Sequence, residues 1–321
     1  MGADTVYIGG GTPSLLTPSQ IGRVLEAVGK GFILDPAAEI SMEANPETVN
    51  PQSLVGYRHA GVNRISFGVQ SLDDGMLKSL GRIHTAARAR EAAEEARQAG
   101  FVNIGADMLF GLPSQTAGGW RRDLTKVLEL PLAHLSCYEL AVESGTPLAE
   151  SRPVLPGEDA VLDMWNAAEE ETARAGFVHY EVANYALPGR ECRHNLKYWK
   201  DTEFYGFGTS AWSYVGGVRY GNPRGLEEYY AGAETGFSPA ETDELPASKR
   251  LAEALMMGLR LRSGCRLADL ESRYGPAPAV IRALEPHVAA GRVEKADGLL
   301  RLTRDGLLLA NEVWADILAA V

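Results

Sequence analysis

Five short apolar runs recur about 35 residues apart through the first half of the chain, alternating with helical patterns. They are DTVYIGG (4–10), AEISMEANP (38–46), VNRISFGVQS (62–71), VNIGADMLFGLP (102–113) and HLSCYELAVESG (134–145). Helical periodicity falls between them at 18–30, 51–60, 85–99 and 117–129, and Gly100 closes the third helix. Adjacent parallel strands need a crossover of a dozen or more residues, which these segments supply. The alternating order therefore predicts parallel strands with right-handed crossovers, closing into a barrel or partial barrel.

Beyond residue 150 the texture changes. A helical stretch at 158–175 precedes FVHYEVANYA (177–186), which reads as one more strand, and 190–232 reads as irregular and dense in aromatics. After FSPAETDELPAS (237–248), residues 249–275 read as a helix, a turn and a second short helix. Residues 291–306 read as a β-hairpin turned at Asp297-Gly298. Helix, helix, hairpin, helix is the outline of a small winged-helix-like α+β domain. The expected division is 1–236 for the α/β part with its aromatic extension, and 237–321 for the small domain. That domain carries little positive charge, so packing or lid duty is expected of it.

A net charge of −11 argues against a nucleic-acid binder, since neutralising phosphates needs clustered Lys and Arg. No apolar run approaches the roughly 20 residues of a membrane helix. Cys137, Cys192 and Cys265 lie far apart and form no CxxC pair or zinc spacing, which argues against a disulfide framework. A cytoplasmic, reducing setting is expected, with peripheral attachment to a membrane left open.

In parallel barrels ligands bind at the carboxyl ends of the strands. There the chain places Gly9-Gly10-Gly11-Thr12-Pro13, Glu43 with Asn45-Pro46, Gln70-Ser71, Asp107 with Gly111-Leu112-Pro113, and Glu139, Ala141 and Glu143. Arg82 lies nearby in LGRIH. Singly, a glycine triplet is a tight turn, a strand-end carboxylate a cap, and an arginine a surface charge. Together they suit a ligand with sugar hydroxyls, an ammonium and a carboxylate, which describes S-adenosylmethionine better than a nucleotide. A sugar-phosphate barrel enzyme fits the strand pattern but leaves Arg82 and the acidic strand ends unused.

YIGGGTPSLL, EANPE, ISFGVQS, LGRIH, DMLFGLP, ESGTPL and HNLKYW occur in one order along nearly the whole chain. In order and spacing they resemble the radical S-adenosylmethionine proteins related to oxygen-independent coproporphyrinogen III oxidase, most closely the HemW branch of haem chaperones. The resemblance implies a partial (β/α) TIM-like barrel. It places Gly10, Gly11 and Thr12 at the methionyl amino group, with Glu43 in the same polar cluster. Arg82 would pair with the cofactor carboxylate, Gln70 and Asp107 with the ribose hydroxyls, and Ala141 and Trp212 would form the adenine wall.

The family builds a [4Fe–4S] cluster on CxxxCxxC after its first barrel strand. This chain carries no such motif, and it starts where the family's second strand begins. The expectation is an upstream segment bearing the motif; the alternative is a cluster-less paralogue that keeps only binding. As it stands, the chain is not expected to cleave the cofactor reductively.

RHNLKYW (193–199) joins His194 and Asn195 to Tyr198 and Trp199. HNxxYW resembles the HemW signature linked to haem. That implies an imidazole for iron and two rings for the macrocycle, with His194 read as a solvent-facing loop residue and Cys192 as a second iron candidate. Whether His194 ligates iron or shapes the pocket stays open. Two functions remain at this stage. One is a chaperone with haem or porphyrin and haem-accepting apoproteins as partners; the other is an oxidase decarboxylating coproporphyrinogen III. HNLKYW favours the chaperone.

Overall fold

The structure, a computed structural model, describes residues 1–236 and 239–321. It divides into two compact units, Met1–His194 and Asn195–Val321. The domain boundary expected at 236/237 falls against Phe237 and Ser238, which lie outside the described residues.

The first unit is a seven-stranded sheet with order β1-β2-β3-β4-β5-β7-β6. Its strands are β1 (Gly2–Ile8), β2 (Ile33–Ala44), β3 (Arg64–Gln70), β4 (Ile104–Phe110), β5 (His134–Glu139), β6 (Val178–Glu181) and β7 (Asn184–Ala186). The first five are parallel, in chain order, as the βα repeat requires. The run 177–186 is not one strand. It folds back into β6 and β7, and β7 pairs antiparallel with both β5 and β6. A continuous run of β-formers hid the two-residue reversal at Val182 and Ala183.

Helices Pro18–Gly31, Pro51–Ala60, Ala86–Gln98 and Ala117–Leu128 connect the parallel strands. Their starts are written in side-chain chemistry. Thr17 with Gln20, and Asn50 with Ser53, form reciprocal capping boxes, each followed by proline at the first helical position. Thr85 and Thr116 cap the other two. These helices bury Ile21, Leu54, Ala92 and Trp120 in a core shared with Met42, Ile65, Phe67, Ile104 and Met108 from the sheet.

The opposite face of the same strands is polar. Alternate residues place Thr5 and Tyr7 beside Glu39 and Ser41, Ser41 and Glu43 beside Arg64 and Ser66, and Gly105 and Asp107 beside His134 and Ser136. Glu39, Arg64, Ser66, His134 and Ser136 are all buried.

In the second unit, residues read as irregular are ordered. The helix Arg193–Trp199 crosses the division between units, and the hairpin of β8 (Trp212–Val215) and β9 (Val218–Gly221) follows, then helix Leu226–Thr235. Strands of four residues around a Gly-Gly turn are too short to show a period. β10 (Glu241–Asp243) extends that sheet. The C-terminal part follows the expected outline: helices Ala247–Gly258 and Leu267–Tyr274, then a hairpin of β12 (Val293–Ala296) and β13 (Leu299–Leu302). Asp297 (φ 51°) and Gly298 (φ 76°) make its left-handed turn. A further helix, Pro278–Ala289, precedes the hairpin, and a short strand β11 (Cys265–Arg266) pairs with β13.

Candidate functional site

The chain leaves β1 through three glycines with different duties. Gly10 and Gly11 have left-handed backbones, φ 79° and 64°, and no atom lies within 4 Å of where a Cβ would stand. They form an open cradle of bare backbone, the shape a closely approaching ligand needs. Gly9 faces inward instead. A Cβ there would sit 2.7 Å from Tyr7 Cε1 and 3.0 Å from Glu43 Oε1. The space is needed because the Tyr7 hydroxyl donates to Glu43 Oε1 at 2.8 Å, while the Gly10 amide donates to Glu43 Oε2 at 3.2 Å. Burial, reinforced by the Glu43 charge, pushes the Tyr7 phenol far above its ordinary range. Thr12 is half-buried at the start of a short 3-10 turn and makes no side-chain cap bond there.

Gln70 ends β3 with φ 66°, a left-handed backbone in a residue with a full side chain, beside a register shift after Phe67. Such conformations cost on the order of 1–3 kcal/mol and concentrate at functional sites. The next residue is pinned: Ser71 Oγ donates to Asp123 Oδ2 at 2.5 Å, and the Leu72 amide donates to the same oxygen at 3.2 Å.

Asp107, two positions along β4 from Gly105, accepts from Ser66 Oγ at 3.4 Å. Burial raises its carboxyl above the ordinary range, against the Ser136 hydroxyl, the Arg64 charge and the Ser66 hydroxyl, while Glu43 adds to the rise. Arg82 is exposed and forms no ion pair among the described residues. Its loop is anchored by buried His84, whose Nε2–H donates to the Val69 carbonyl at 3.0 Å. Desolvation lowers His84, which keeps it neutral. Ala141 is exposed just beyond β5.

His194 is not the solvent-facing loop residue expected. It sits half-buried in the first turn of helix Arg193–Trp199, and its ring stacks on Tyr7 with centroids 5.1 Å apart and planes 24° from parallel. Its Nδ1 shares a 2.9 Å hydrogen bond with Thr5 Oγ1. Buried Glu39 holds the start of the helix: Oε2 accepts the Arg193 amide and Oε1 the His194 amide, both at 3.1 Å. Cys192 Sγ lies 3.7 Å from Glu39 Oε1. A histidine after a strand-rich segment is easily read as a loop residue; a carboxylate more than 150 positions away makes it helical.

The remaining signature residues belong to the second unit. Asn195 is half-buried. Tyr198 meets Phe204 edge-on, with centroids 4.7 Å apart. Trp199 lies under the Arg260 guanidinium at 4.9 Å, and Arg260 also stands 4.3 Å from the Trp314 ring. Trp212, 41% exposed, packs on Gly221, where a Cβ would come within 3.0 Å of the indole.

Cys137 and Cys192 are buried in the first unit and Cys265 is half-buried in the second. Desolvation raises the Cys137 thiol and pushes Cys265 up to about 12. Iron–sulfur ligation needs thiolates. Among the described residues no group of three or more His, Cys, Asp or Glu is arranged to hold a metal. These residues do not fit a [4Fe–4S] cluster. The strand-end set does fit S-adenosylmethionine: open glycines, a carboxylate for the ammonium, an exposed guanidinium, and amide and carboxyl groups for hydroxyls.

Sequence reasoning missed Tyr7, Glu39, Arg64, His134 and Asp123. The period-2 polar alternation within runs read as simply apolar was the available signal for the first four; Asp123, on a helix, had none.

Comparison with known proteins bears on all of this. The family model of the radical SAM superfamily matches residues 1–126, and that of the HemN C-terminal domain matches 245–309. Heme chaperone HemW of Bacillus subtilis (strain 168) is 33% identical over 327 residues, covering 98% of this chain and 85% of its own. Heme chaperone HemW of Escherichia coli (strain K12) is 35% identical over 320 residues, covering 98% and 84%. The structure of coproporphyrinogen III oxidase (HemN) from Escherichia coli superposes with a TM-score of 0.86 at 22% identity, over 100% of this chain and 79% of that one. The first unit therefore has the curled half-barrel sheet of the radical SAM fold.

Proposed function

Since this chain belongs to the HemW family of the radical SAM superfamily, we propose that it binds S-adenosylmethionine at its strand ends and haem at His194, and passes haem to recipient apoproteins. At the strand ends Gly10, Gly11, Thr12 and Glu43 take the methionyl amino group. Arg82 takes the carboxylate, Gln70 and Asp107 the ribose hydroxyls, and Ala141 and Trp212 the adenine. In radical SAM proteins that carry a cluster the cofactor supplies radical chemistry; the residues described here would bind and orient S-adenosylmethionine. Residues 1–236 would form the cofactor- and haem-binding part, with 237–321 as the accessory domain. The free thiols suit a reducing, cytoplasmic setting. No helix among the described residues is long and apolar enough to cross a membrane.

One observation carries the haem reading. The His194 backbone is held by Glu39, its Nδ1 by Thr5 and its ring face by Tyr7. Imidazoles that bind metal are oriented in this way, through the second nitrogen and the ring. Asn195, Tyr198 and Trp199 complete the signature. The likeness to the oxidase, at 22% identity, carries the fold and not its reaction.

The test is haem titration of the chain followed by its Soret band. His194→Ala should lose haem or shift the band, while Cys192→Ser should leave it unchanged. A shift confined to the cysteine variant would put iron on sulfur. Unchanged spectra in both variants would remove this segment from the haem site.

A further inference from the structure

Two hydrogen bonds and one ring stack around β1 form a continuous path inside the first unit. The Gly10 amide donates to Glu43 Oε2, Tyr7 donates to Glu43 Oε1, and the Tyr7 ring stacks on His194. Gly10 belongs to the cofactor cradle and His194 to the haem signature, so a single tyrosine touches the machinery of both. Thr5, two residues earlier on the same face of β1, fixes the other side of the imidazole. The space left by Gly9 is occupied by this pair, since a Cβ there would strike both Tyr7 and Glu43. A phenylalanine at position 7 would keep the ring against His194; only the hydroxyl reaches Glu43.

We infer that Tyr7 is the positioning residue through which the cofactor cradle sets the hold of His194 on haem, so that S-adenosylmethionine bound at Gly10 and Glu43 weakens haem binding. This rests on the two binding sites proposed above.

The physical reason is competition for one carboxylate. Glu43 is committed to two donors. An ammonium arriving at the cradle adds a third, cationic donor, which draws on the same carboxylate charge that the two existing bonds rely on. The bond from the Tyr7 hydroxyl to Glu43 weakens, its ring loses its anchor, and the Glu43 charge behind that ring is neutralised. A haem iron held by His194 would lose favourable field and a fixed ligand orientation together. Linkage makes the effect reciprocal: haem must weaken S-adenosylmethionine by the same factor.

The experiment measures the haem dissociation constant of the chain with and without saturating S-adenosylmethionine, and takes the ratio. The native chain should show a ratio of about fivefold or more, in the ordinary range for coupled sites. Tyr7→Phe should bring the ratio to about one, whatever the two absolute affinities become. Thr5→Val, which releases the imidazole from its other side, should keep the native ratio. A direct readout needs no variant: in labelled native chain without haem, S-adenosylmethionine should shift the ring resonances of His194.

A native ratio of one with both ligands bound, a Tyr7→Phe ratio equal to the native one, or a silent His194 ring on cofactor saturation would each overturn the inference and leave the binding sites standing. Haem that remains bound with an unchanged Soret band in His194→Ala would overturn the haem reading itself, and this inference with it.

Discussion

The two faces of the parallel strands carry opposite chemistry on the same backbone. On the helix-facing side, Met42, Ile65, Phe67, Ile104 and Met108 are buried among apolar helix residues. One position along, Glu39, Arg64, Ser66, His134 and Ser136 are equally buried among polar neighbours. Burial of the first set is favourable by itself, at about 25 cal/mol per Å². Burial of the second is costly unless hydrogen bonds replace water, and even then the net gain per bond is small. A sheet that needed only stability would be apolar on both sides, as fully covered parallel sheets usually are. The buried polar face is where this sheet departs from that pattern.

The comparison breaks most readily on Phe67 and Ser66, adjacent residues on opposite faces. Phe67→Ala should cost about 3–5 kcal/mol in denaturant unfolding, the range for an emptied aromatic site. Ser66→Ala should cost roughly 1 kcal/mol, since it removes one weak hydrogen bond to Asp107. Equal losses would mean that the two faces share the load.

Ligand binding sharpens the contrast. Arg82→Ala and Asp107→Ala should each weaken S-adenosylmethionine by ten- to a hundred-fold in calorimetry, about 1.5–3 kcal/mol for a lost charge-assisted bond. Phe67→Val, on the other face, should leave the affinity where it was. Native affinity in both polar variants would place the cofactor elsewhere.

The smallest effect is a slope with pH. His134 is fully buried with Nε2 sharing a 2.8 Å hydrogen bond with the Tyr180 hydroxyl, and desolvation followed by the Arg64 charge holds it well below the usual histidine range. The folded chain keeps it neutral while the unfolded chain takes up a proton below about pH 6.5, so stability falls as pH drops through that value. One such group contributes at most about 1.4 kcal/mol per pH unit. His134→Gln should flatten the slope between about pH 6.5 and 5 in urea unfolding, leaving a parallel contribution from His84. An unchanged slope would mean that His134 is charged in the fold.

Much of this fold was legible because its signals are local. Helical periods at 18–30, 51–60, 85–99 and 117–129, the apolar runs of the first five strands, and the Asp297-Gly298 turn each act within a few positions. The glycines after β1 and the strand-end carboxyl and amide groups could be read as a ligand site for the same reason. The reversal inside 177–186 and the helix at His194 could not, because each is decided by distant partners: β5 for the first, Glu39 for the second.

The order of the first five strands and their connecting helices, the open Gly10-Gly11 cradle and the signature around His194 were thus determined by the sequence alone. Tertiary structure alone decided that Tyr7 meets Glu43 across 36 positions and His194 near the far end of the unit. A strand's period tells which residues share a face, but only the register between strands tells which of them touch. That register is set by the sheet as a whole, where the packing of every helix on the apolar side fixes how the polar side lines up.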